Sequence, residues 1–142
     1  MDYQLNYASI KAVIEEEISR VASRSYSSDG ASQYDSIRLV SRDDGTLKRL
    51  LDDAVNILLS RFRLFASVSY EDETTVTFNL PDLAVGMEDR IKSILDRFLG
   101  MSVVGKWLQE RGIEDSEMYL KRADASINEA ELLMMTRTRI NR

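Results

Sequence analysis

Apolar side chains recur at Tyr7, Ile10, Ile14, Ile18 and Val21, in steps of three and four that place them on one face of a helix from Tyr7 to Ala22. Lys11, Glu15, Glu16 and Arg20 fall on its solvated face, and Asn6 carries an oxygen suited to cap its first turn. Residues 23–33, with Ser23, Ser25, Ser27, Ser28, Asp29, Gly30 and Ser32, offer little to bury and read as a loop. Residues 34–40 alternate weakly, with Ile37 and Leu39 on one side, and suggest a short extended piece. Asp43, Asp44 and Thr46 then supply capping oxygens ahead of Leu47, Leu50, Leu51, Ala54, Val55, Leu58, Leu59 and Phe62. So broad a stripe predicts a central helix with neighbours on more than one side.

The period then changes from helical to two. Ala66, Val68 and Tyr70 alternate with polar residues, as do Val76, Phe78 and Leu80, and the acidic tip Glu71-Asp72-Glu73 joins them into a β-hairpin at about 64–80. Two strands alone are marginal in water, so the apolar face must lie on a helix or add to a sheet from another chain. After Pro81-Asp82 a third helix is expected from near Leu83, with Met87, Ile91, Ile94, Leu95, Phe98 and Leu99 inward. Gly100 and Gly105 mark either a kink in it or the close approach of another backbone, and Arg111-Gly112 reads as its stop. A fourth helix follows from Glu117, with Leu120, Ala123, Ile127, Ala130 and Met134 in line. Beyond it the chain ends without periodicity, an expected extended tail over 132–142.

Length and composition narrow the class. The 142 residues, 44% hydrophobic and 30% charged, suit one folded domain with a continuous core. The chain has neither cysteine nor histidine, which removes thiol chemistry, disulfides, the usual zinc sites and imidazole acid–base work. The start, Met1 to Asn6, lacks the basic and apolar regions of a secretory signal, so a cytoplasmic site of synthesis and assembly is expected. Leu132 to Met135 is the longest apolar run, against the roughly 20 residues a membrane crossing requires, and no membrane role is expected. The formal charge of -5 confines any DNA contact to the C-terminal arginines, Arg137, Arg139 and Arg142.

Candidate chemistry is sparse. Acidic pairs and triplets at Glu15-Glu16-Glu17, Asp43-Asp44, Asp52-Asp53, Glu71-Asp72-Glu73 and Glu114-Asp115 bring a magnesium site to mind. Neighbours on a helix diverge by about 100 degrees, so these read as solvated faces and caps. Pro81-Asp82 resembles the opening of a nuclease metal motif, but Glu88-Asp89-Arg90-Ile91-Lys92 does not place an acid two residues before the lysine. No catalytic residue, metal site or cofactor is expected. The candidates for protein contact are Val68, Tyr70, Val76 and Phe78 of the hairpin, the lone Trp107, which is either core or interface anchor, and the tail residues Met134, Met135, Arg137, Arg139, Ile140 and Arg142. In the tail, apolar residues interleave with cations, as docking on a neighbouring subunit requires and a merely solubilising end does not.

The order of these features resembles small virion proteins of tailed phages and prophages, of the head-tail connector or tail-completion type. The resemblance lies in Ser41-Arg42-Asp43-Asp44 before a Leu-rich helix, the short hairpin, the helix ending in Lys106-Trp107-Leu108 and the arginine-bearing tail. It implies a non-enzymatic homo-oligomeric subunit, assembled in a bacterial host, whose partners are portal, connector or tail ring proteins. The expected fold is a single α+β domain over 1–131, mostly helical, with three to four helices packed on the hairpin and a basic tail over 132–142. The rival readings are a cytoplasmic helical adaptor that binds one protein and a metal-dependent enzyme acting on phosphate esters.

Overall fold

In the computed structural model the chain runs β1 (Asp2–Asn6), α1 (Tyr7–Arg24), α2 (Asp44–Phe62), β2 (Ser67–Tyr70), β3 (Thr75–Asn79), α3 (Met87–Glu110) and α4 (Ser116–Ile140). The described residues are 2–24, 30, 37–38, 43–62, 67–70, 75–79 and 87–140, with the backbone alone for Asp2, 67–70 and 135–140. The fold is mostly helical with an antiparallel hairpin, as its periodicities predict.

Among the described residues the sheet has three strands in the order β1-β3-β2, all antiparallel. Its third strand comes from the chain's own N-terminus, so the hairpin does not depend on another chain to extend it. Tyr3 lies opposite Phe78 and Leu5 opposite Val76, with the Tyr3 and Phe78 ring centroids 5.9 Å apart. All four are buried on one face. The other face carries Gln4, Asn6, Thr75, Thr77 and Asn79, a period-two division between apolar and polar sides.

Asn6 ends the strand and starts the helix. Its side-chain oxygen accepts from the backbone N–H of Ala8 at 2.9 Å and of Ser9 at 3.3 Å, satisfying two donors that the first turn leaves free. α1 then buries Ile10, Ile14, Ile18, Val21 and Ala22, the stripe read from its spacing. α2 likewise buries Leu47, Leu50, Leu51, Ala54, Val55, Leu58 and Phe62.

The centre of the molecule is α3, not α2. It packs against α1, α2 and α4, and Ser102, Val103, Val104 and Gly105 are buried consecutively, which only a helix covered on several sides achieves. Gly100 and Gly105 do not break it. At Gly105 a Cβ would sit 2.7 Å from Leu120 Cδ2 and 3.2 Å from the Leu120 backbone nitrogen, so the glycine is where α4 comes closest; at Gly100 nothing lies within 4 Å. The stop at Arg111-Gly112 is a Schellman turn. Gly112, at φ 68, donates to Gln109 O, and Ile113 donates to Leu108 O at 3.0 Å, with Ile113 and Leu108 both buried. The tight turn folds α4 back along α3, and this helical hairpin is the largest contact in the fold.

α4 continues to Ile140, so the expected extended tail is overturned for 132–140, whose backbone is helical; residues 141–142, including Arg142, lie outside the described residues. Met134 accounts for the continuation, since it is fully buried and extends the Ala123, Ile127, Ala130 series by one turn. In the segment expected to be extended, Ile37 is described as helical and buried, and residues 39–40 lie outside the description. The starting point near Leu83, Pro81-Asp82 and the tip Glu71-Asp72-Glu73 also fall outside it.

Candidate interaction surface

Several residues predicted to meet a partner are instead used inside the chain. Val76, Phe78 and Met134 are buried in its own core, which corrects their reading as contact residues, and of the two readings of Trp107, core or interface anchor, the core one holds. Trp107 is held by its polar handle: Nε1–H donates to the Ile37 carbonyl at 2.8 Å, and the Arg111 guanidinium covers the ring at 3.1 Å from its centroid. It therefore anchors the segment around Ile37 to α3 rather than a neighbour. Val68 and Tyr70 lie in register with Phe78 and Val76 on β2, while Met135, Arg137, Arg139 and Ile140 lie on the last turns of α4; their side chains are not among those described.

The acidic clusters are more than solvated faces. Tyr3 Oη donates to Asp96, Tyr7 Oη to Asp52 and Tyr119 Oη to Glu17, tying β1 to α3, α1 to α2 and α4 to α1. Burial, reinforced by the nearby carboxylate, pushes the Tyr119 hydroxyl up to about 12 and the Tyr3 hydroxyl higher still, so both remain donors at neutral pH. Ion pairs reinforce the helix contacts. Lys11 meets Asp44 at 2.8 Å, Arg49 meets Glu110 at 3.2 Å, Arg90 meets Glu129 at 2.8 Å, and Arg61 meets Glu131 at 2.6 Å while also donating to Asn128. All lie at the surface, where water and salt screen them, so they contribute little to stability. The sequence carries no local signal for these ties, because each joins residues far apart in the chain.

Two hollows of about 330 Å³ each open on the surface. The first, between α1 and α2, is floored by Ile14, Leu47 and Leu51, with the Lys11–Asp44 pair and Lys48 on its rim. The second lies across α1, α3 and α4 and differs in chemistry. Val13, Gly100, Met101 and Val104 form its apolar part, with Val13 60% exposed. Arg97 and Arg122 stand on its rim and also line the adjoining hollow beside Ser126, so both open into one continuous groove. Neither arginine meets a carboxylate among the described residues. The carboxylates that border the groove are occupied: Glu17 by Tyr119 and Arg20, Asp96 by Tyr3, and Glu129 by Arg90.

Among the described residues no three acidic side chains converge as metal ligands would, and no helix is long and apolar enough to cross a membrane. Compared with protein-family models, with curated proteins and with solved structures, the chain matches none of them.

Proposed function

We propose that this protein is a structural subunit that works by assembling with other protein subunits, without catalysis of its own. The observation that carries this reading is the α1/α3/α4 groove. An apolar floor with an exposed Val13, bordered by Arg97 and Arg122, which meet no carboxylate among the described residues, has the composition of a protein contact, where arginine is enriched and charge is moved to the rim.

Within that class we favour a head-tail connector or tail-completion subunit of a tailed phage or prophage, located in the virion and meeting portal, connector or tail ring proteins. The support is the resemblance carried by Ser41-Arg42-Asp43-Asp44, the hairpin, Lys106-Trp107-Leu108 and the arginine-bearing end. Electron microscopy of the purified full-length protein at high concentration tests it: closed rings of one size are expected. Featureless monomers or dimers would instead favour an adaptor that binds one partner.

A further inference from the structure

Arg97 on α3 and Arg122 on α4 are exposed, face one groove and meet no carboxylate among the described residues. Lys11, Arg20, Arg49, Arg61 and Arg90 all do; Lys48, Lys92, Lys106 and Lys121 meet none among the described residues either, but none of these lines the groove. The same helical hairpin bears the complementary surface at its turn. Glu114, Asp115 and Glu117 are exposed and meet no cation among the described residues, and the adjacent Met118 is 41% exposed. Arg122 stands about two helical turns beyond Asp115, and neither it nor Arg97 meets Glu114 or Asp115 of its own molecule among the described residues. The two surfaces can meet between molecules. Arginine forks hold carboxylates through paired charge-assisted bonds, and an apolar floor of Met101, Val104 and Val13 suits the Met118 side chain.

Resting on the reading of this chain as an assembly subunit, we propose that the Arg97/Arg122 groove receives the acidic α3–α4 turn of a second copy, with Glu114 and Asp115 on the arginines. A protein turn fits better than a nucleic acid. The overall charge of -5 disfavours an extended polyanion, whereas a short turn with a methionine beside it brings local charge and apolar surface together, and the bordering Glu17, Asp96 and Glu129 are already held by Arg20 and Tyr119, by Tyr3 and by Arg90. Two copies can exchange this contact reciprocally as a two-fold dimer, or make it head-to-tail, closing into a ring when the rotation permits and otherwise running on as a filament.

The test uses two full-length charge-reversal variants, Arg97→Glu with Arg122→Glu, and Glu114→Arg with Asp115→Arg, all four positions being exposed. Circular dichroism establishes that each is folded, and light scattering reads mass against concentration at low and high salt. The wild type is expected to associate, less at high salt, and each variant alone to remain monomeric. An equimolar mixture of the two is expected to regain association, since each acidic turn then finds a basic groove and each basic turn an acidic one. A wild type that is monomeric throughout, or a mixture that stays monomeric, overturns the contact. Variants that associate as well as the wild type also overturn it, but leave the assembly reading intact through another surface.

Discussion

Glycine at two positions of one helix has opposite meanings. Gly105 lets the Leu120 side chain approach to a distance that no Cβ tolerates and its backbone nitrogen to a tight one, whereas Gly100 has open space where a Cβ would stand. Gly100→Ala is therefore expected to stabilise the protein by up to about 1 kcal/mol through helix propensity. Gly105→Ala should destabilise it by about 1 to 3 kcal/mol, because Leu120 must move within a packed contact. Urea denaturation of the two variants checks the sign of each. The tyrosine ties give a second residue-scale expectation. An unfolded tyrosine loses its proton near pH 10 and native Tyr119 near 12, so above pH 10 the unfolded chain binds fewer protons than the native one. Stability from this group is complete below pH 10 and is lost as the pH rises through 12. Replacing Tyr119 by Phe should flatten that part of the stability profile while leaving the part due to Tyr3, whose hydroxyl is shifted further.

At the scale of elements, α4 separates burial from mere hydrophobicity. Met134 is fully buried and Leu132 is 64% exposed, two residues apart on one helix. Met134→Ala should cost about 2 to 5 kcal/mol and Leu132→Ala less than about 0.5, measured by thermal or chemical unfolding. The contrast also explains what could be read in advance. Ile10, Ile14 and Ile18, or Leu51 and Leu58, announce their helices because one face of each is buried and the other wet. α3 defeated that reading in its second half, where burial on several sides removes the periodicity, so Trp107 fell off the stripe and two glycines looked like interruptions. β1 was missed because Tyr3 and Leu5 give only two alternating positions, too few to announce a strand until Phe78 and Val76 are beside them. The end of α4 was misread because Met134 looks like tail when counted with the arginines and like core when counted with Ile127 and Ala130.

For the whole molecule, size and apolarity in the sequence do not distinguish a contact residue from a core residue. Side chains marked as candidate contacts for being large and apolar, Phe78, Trp107 and Met134, are what a core of this size uses first. Arg97 and Arg122 were not singled out, since an arginine on a helix is unremarkable until its lack of a partner is known, and that depends on three helices meeting. The measurement that bears most directly on assembly is sedimentation velocity of the full-length protein over a wide range of concentration at low salt. A discrete species several times the 16.2 kDa chain, growing at the expense of monomer, is expected. A single 16.2 kDa species at every concentration would contradict self-assembly as its mode of action.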